Sequence, residues 1–141
     1  MTHSLSDLTH QLIDIARKAG ADAADAIAVD GTSLSIDVRG GVLEHAERSE
    51  GIDIGLRVLI GKRQACVSSS DTKPDTLRQM AERAVAMAKE APEDPHAGLA
   101  DPAQLAQATD NAALQMHDPA EEPDPAMLQD QAARAEAAAL R

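Results

Sequence analysis

No Phe, Tyr or Trp occurs anywhere in the 141 residues, and the large aliphatics Leu, Ile and Val number only 26. Aromatic side chains bury the most area per residue, so any core must be Leu, Ile, Val and Met packed against Ala, and it must be thin. The same absence removes the platforms on which unpaired bases stack, and a net charge of −11 repels phosphate, which together argue against nucleic-acid binding. The single cysteine, Cys66, has no partner for an internal disulfide, as fits a reducing compartment. No segment approaches the roughly 20 apolar residues that span a bilayer. The N-terminus MTHSLSDLTH lacks the basic start and apolar run of a secretory signal. A soluble, cytoplasmic chain with no membrane partner is expected.

What is present is unevenly distributed. Residues 1–91 hold 21 of the 26 large aliphatics with 11 basic and 14 acidic residues, whereas 92–141 hold five, two and ten. The head has the material for a core; the tail is acidic and short of it.

Leu8, Leu12, Ile15 and Ala19 recur at helical spacing opposite Asp7, His10, Asp14 and Arg17, which predicts an amphipathic first helix. Ser4 and Asp7 have the spacing of a capping box, and Gly20 is placed to close the helix in the left-handed conformation. Turn signals follow at Asp30-Gly31, Gly40-Gly41, Glu50-Gly51 and Gly61-Lys62, each one short strand from the next. They predict a five-strand antiparallel meander, in which Leu34, Ile36 and Val38, and then Ile52, Ile54, Leu56, Val58 and Ile60, line an apolar face. Thr72 and Pro74 start a second helix with Leu77, Met80, Ala81, Ala84 and Ala88 on one side, and Pro92 ends it. Two amphipathic helices and a one-sided sheet solve each other's burial problem. The expected fold is therefore α+β, a two-layer sandwich over residues 1–91. Residues 92–123 form an acidic, proline-rich linker, and Asp124-Pro125 opens an Ala-rich helix over 124–141 that meets no stop signal, as if the chain were cut short.

Chemistry is sparse. No histidine lies in H-E-x-x-H, H-E-x-x-x-H or a Cys/His zinc spacing. His45 and Glu47 share a strand face. Asp94, His96 and Asp101, and His117 among Asp118, Glu121 and Glu122, combine imidazole with hard oxygen donors and are the candidate ligands for a divalent cation. Ser68, Ser69 and Ser70 have no histidine tied to them and no G-x-S-x-G context, so they read as the polar end of a strand. Cys66, between Ala65 and Val67, reads as an inert thiol. Gly55, inside a strand, marks a bulge or a place where another backbone comes close. No catalytic or cofactor-binding residue emerges.

The segments E-R-S-E-x-x-x-x-G-L-R-V-x-x-G-x-R (47–63), S-S-S-D (68–71) and A-P-E-D-P-H-A-G-L-A-D-P (91–102) resemble the N-terminal domain of the TldD/PmbA family, nearer its PmbA or TldE branch. The resemblance covers roughly residues 5–141. It implies a cytoplasmic TldD–TldE assembly acting on peptides, with zinc held by an H-E-x-x-x-H motif in the TldD-like partner and no cofactor in this chain. The role so implied is a non-catalytic domain that offers a sheet edge or an apolar helix surface to that partner. Two other readings stay open. One is a small hydrolase that uses a divalent metal to activate water, and the other is a self-associating module that covers its apolar surface with a second copy.

Overall fold

In the computed structural model the described residues are 4–107, 112–116 and 118–141. They contain α1 (Leu5–Lys18), β1 (Ala23–Arg39), β2 (Val42–Ile60), β3 (Arg63–Ser69), α2 (Pro74–Glu90) and α3 (Pro125–Ala139), with short 3-10 turns at Pro102–Gln104 and Ala112–Leu114. The chain is α+β, and the sheet has three antiparallel strands in the order β1-β2-β3.

The five strands expected from the turn signals are three. Gly40 and Gly41 have φ of 60° and 74° and Gly61 has 56°, so tight reversals form there. Gly31 and Gly51 stay outside the left-handed region, and the chain runs straight through both as extended strand. A long hairpin keeps its ladder unbroken at the modest entropic cost of a glycine in a strand, and that outweighs the local turn preference of Asp-Gly and Glu-Gly.

Residues Met1–Gly31 and Gly51–Gln104 form one compact unit. Its core joins Leu8, Leu12 and Ala16 of α1, Ala24 of β1, Ile54, Leu56 and Val58 of β2, and Leu77, Met80, Ala81, Ala84, Val85 and Ala88 of α2. Both helices thus lie on the face of the sheet that carries the even-numbered residues of β1 and β2. The Ser4–Asp7 capping box is formed at the start of α1, with Ser4 Oγ accepting from the Asp7 amide at 3.1 Å. Gly20 (φ 108°) ends the helix in a Schellman turn, in which the Gly20 amide donates to Arg17 O and the Ala21 amide to Ala16 O, both at 3.1 Å.

The start of α2 is shifted by one residue from the expected Thr72 cap: Lys73 is the cap position and has no capping side chain. Asp71 takes over that task. Its Oδ1 accepts the Lys73 amide at 3.0 Å and its Oδ2 the Thr76 hydroxyl at 2.9 Å, while Ser69 Oγ accepts the Asp71 amide at 3.0 Å. These donors, the Lys73 amide first, hold the Asp71 carboxyl below the ordinary 3.8.

Residues Thr32–Glu50 and Leu105–Arg141 form the second compact unit. None of its described residues is fully buried. Half-buried Leu34, Ile36 and Val38 on β1, and Leu128, Ala132 and Ala133 on α3, provide its apolar shielding. Polar contacts organise it. Glu136 of α3 accepts the successive amides of Gly40 and Gly41 at 2.6 and 2.8 Å, a carboxylate seated in a two-glycine nest. Arg48 bonds Glu50 and forks onto Glu122 at 2.7 and 3.3 Å. Its pKa is raised, by the hydrogen bond to Glu50 first and then by the bond to Glu122.

Leu77, only 1 % exposed, anchors α2 in the first core. Leu77→Ala is expected to cost about 2–5 kcal/mol in urea unfolding, a large share of the stability of a domain this size. Because its native pKa is depressed, Asp71 contributes stability that is present above 3.8 and is lost as pH falls through the lower native value. Asp71→Asn should therefore lower the urea midpoint at neutral pH, and the gap from wild type should close in strongly acidic buffer.

Candidate functional site

The strand pleat leaves the opposite face of the sheet in the first unit without helices. With Ala24, Ala26 and Ala28 packed into or against the core, Asp25, Ile27 and Val29 fall on this open face. So do Asp53, Gly55 and Arg57 of β2, between the core residues Ile54, Leu56 and Val58, and Cys66 and Ser68 of β3 alongside the inward Ala65 and Val67. Antiparallel register sets Arg57 opposite Cys66 and Gly55 opposite Ser68.

These residues enclose a trough of about 530 Å³, lined by Asp25, Ile27, Gly55, Arg57, Cys66 and Ser68 with their strand neighbours. Gly55 makes the hollow: a Cβ added there would stand 3.0 Å from Ile27 Cγ2. What comes close to this glycine is the Ile27 side chain of the neighbouring strand rather than another backbone. One wall is a fork in which Arg57 Nε and Nη2 donate to the two Asp25 oxygens at 2.9 and 2.5 Å. The Arg57 pKa is raised, by that hydrogen bond first; burial opposes the rise, and the charges of Asp25 and Cys66 add to it. Cys66 is exposed. The trough offers a charged fork, a thiol, a hydroxyl and apolar walls, which suit it to binding. The fork was not legible in the sequence: Arg57 sits on the polar side of an alternating strand, but Asp25 shares its side with Ile27 and Val29, and nothing local pairs the two.

The residues proposed as metal ligands are placed as follows. Asp94 Oδ1 accepts the His96 amide at 2.9 Å, and Asp101 Oδ1 caps the 3-10 turn through the Ala103 amide at 2.8 Å. These carboxylates are thus engaged with backbone, and His96 is exposed. Among the described residues no group of three or more His, Cys, Asp or Glu side chains comes together to hold an ion. His117 lies outside the described residues. His45 and Glu47 do meet on one strand face, at 3.4 Å. The A-P-E-D-P-H-A segment instead clasps the β2–β3 turn. The Asp94 amide donates to Lys62 O at 2.8 Å, Lys62 Nζ donates to Ala97 O at 3.1 Å, and Arg63 Nη1 caps the Lys89 carbonyl of α2 at 2.7 Å. Among the described residues, no helix is long and apolar enough to cross a membrane.

Comparison with known proteins places these observations in context. Residues 24–88 match the family described as PmbA/TldA metallopeptidase domain 1. The chain is 34% identical over 122 residues to Metalloprotease PmbA of Escherichia coli O157:H7, a match that covers 86% of this chain and 26% of that protein. The chain therefore spans about a quarter of that relative's length. Two solved structures share the fold. A protein from Bacteroides thetaiotaomicron described as a modulator of DNA gyrase superposes with a TM-score of 0.68 at 17% identity, covering 74% of this chain and 24% of that one. TldE from Thermococcus kodakarensis superposes with a TM-score of 0.58 at 22% identity, covering 79% and 26%.

Both members of the Asp25–Arg57 fork are more than a third exposed, so solvent screens the pair. A double-mutant cycle of Asp25→Asn and Arg57→Gln, read by urea unfolding, should return a coupling of about 1 kcal/mol or less.

Proposed function

The chain carries an N-terminal domain of the TldD/PmbA family, and from that premise we propose that it is a non-catalytic partner domain in a PmbA/TldE-like metallopeptidase assembly acting on peptides in the cytoplasm. In this reading zinc and its ligands belong to a TldD-like subunit, and no catalytic step runs through this chain. The observation that carries the reading is the employment of the polar residues in the resembling segments. Asp71 caps α2, Asp94 and Asp101 hold turns, and Lys62 and Arg63 fasten the clasp. Side chains committed to backbone amides and carbonyls maintain a shape, and a shape is what a scaffold contributes.

Coexpression with a TldD-like metallopeptidase subunit tests the proposal. A stable complex should elute as one species on size exclusion, at a fixed ratio of the two chains. Should neither this chain nor a full-length PmbA-like protein carrying it associate with that subunit, the assembly role falls.

A further inference from the structure

Little apolar contact holds α3 in the second unit. Its half-buried stripe is Leu128, Gln129, Ala132, Ala133 and Glu136, and none of the described residues of that unit is fully buried. Alanine confers helix propensity but buries little area. Beyond its own N-cap, the polar contacts of α3 with the rest of the chain run, among the described residues, through Glu136 alone, whose two carboxylate oxygens accept the Gly40 and Gly41 amides at 2.6 and 2.8 Å. A carboxylate in the last turn is unfavourable to the helix itself, because that end already carries partial negative charge. The two glycine amides answer the charge from outside. At the other end Glu122, just before the cap Asp124, forks onto Arg48 of β2. From Val42 to Arg48 the strand covers about 20 Å, and from Asp124 to Glu136 the helix rises about 18 Å. These matching spans lay α3 lengthwise along the hairpin of residues 32–50. Burial alternates on the β1 arm of that hairpin: Leu34, Ile36 and Val38 are half-buried, while Ser33, Ser35, Asp37 and Arg39 are exposed. The half-buried row and the half-buried stripe shield each other.

We propose that α3 is a releasable cover and Glu136 its latch: the carboxylate seated on the Gly40–Gly41 turn keeps the helix down on the hairpin, and breaking that seat uncovers the apolar row Leu34, Ile36 and Val38. A segment with few buried apolar contacts opens at a free energy well below that of global unfolding, and charge-assisted bonds are the strongest individual ties it has. The turn is built to receive one. Gly40 and Gly41 have φ of 60° and 74°, the tight hairpin turn whose two central amides make no ladder bond and are left for an outside acceptor. The Arg48–Glu122 fork is the lesser tie, since both side chains are 49% exposed to the solvent that screens them, and it lies outside the helix. The first unit takes no part in the device, because its core contains no residue of 32–50 or 105–141. The inference stands without the assembly reading, being built within one chain.

Hydrogen exchange on the full chain, with methyl NMR alongside it, tests the latch. Glu136→Ala removes the carboxylate and at the same time raises helix propensity, so a loss of protection in α3 reports undocking and not a weaker helix. The α3 amides are expected to exchange faster by about tenfold or more. The methyl resonances of Leu34, Ile36 and Val38 should move toward those of solvent-exposed side chains. Methyls of Leu12, Leu56 and Leu77 should stay in place, because the first core remains folded. Glu136→Gln keeps one neutral acceptor and should fall between wild type and Glu136→Ala. Arg134→Ala removes only the pair with Asp130 inside the helix and should change α3 exchange by less than about twofold. Unchanged α3 exchange in Glu136→Ala, row methyls that stay put while that exchange rises, or an equal effect from Arg134→Ala would overturn the proposal. Shifted methyls in the first core would count against it as well, since the effect would then be global. So would wild-type α3 amides that already exchange as fast as those of an isolated helix, with no latch to hold them.

Discussion

Two helices and a sheet approach each other closely here because alanine lines the contact. Ala16 of α1 and Ala81, Ala84 and Ala88 of α2 are fully shielded, and they sit among Leu12, Leu56, Val58 and Leu77, the largest side chains that are completely buried. With no aromatic ring to fill a wider gap, separation between the layers must be small, and close-packed small residues give dispersion contact in place of sheer buried area. The rest of the first unit follows from this constraint. Every large aliphatic that can reach the inner face is used there, and few are left for the other side of the sheet.

That economy produces the open face. A glycine at position 55 and an ion-paired Arg57 lie where a second apolar layer would need bulk, so the trough is a by-product of how the core material is allotted along the strand. The strand edges are a separate consequence. β3 has seven residues against nineteen in β2, and among the described residues β1 borders only β2, so the sheet ends there in backbone that no neighbouring strand pairs. An edge without Lys or Pro is costly to leave in water next to other chains.

Much of this was legible in the sequence, for physical reasons that differ by element. α1 declared itself because its period agreed with a cap signal at each end, and α2 because its period ran between Pro74 and Pro92, although its cap lies one residue beyond the expected Thr72; the buried residues Leu8, Leu12, Leu77, Met80, Ala81, Ala84 and Ala88 fall on the expected stripes. The sheet was harder to read. Asp30-Gly31 and Glu50-Gly51 have the local chemistry of turns, and only long-range pairing decides that the strands run on through them. The Asp25–Arg57 fork and the grip of Glu136 on Gly40 and Gly41 join residues 32 and 95 or 96 positions apart, beyond the reach of any local pattern. Asp94, His96 and Asp101 looked like ligands because Asp and His serve metals and turns with the same lone pairs, and spacing alone does not separate the two uses.

The acidic excess has a structural outlet. Asp7 completes a capping box, Asp22 accepts the Gly61 amide at the β2–β3 turn, and Asp71, Asp94, Asp101, Asp118 and Asp124 each accept an amide two residues ahead. Glu136 accepts two more. In each case the carboxylate satisfies a backbone donor that a turn, cap or helix start leaves unpaired, and it does so as an anion, which strengthens the bond. A chain with a thin apolar core gains from this arrangement, because ordered loops then depend less on burial. The same arrangement ties folding to the ionisation of groups such as Asp71, whose depressed pKa records how firmly the charged form is held. Acid-rich composition, often the mark of a solvated tail or a cation site, serves here to hold backbone turns and helix starts in place.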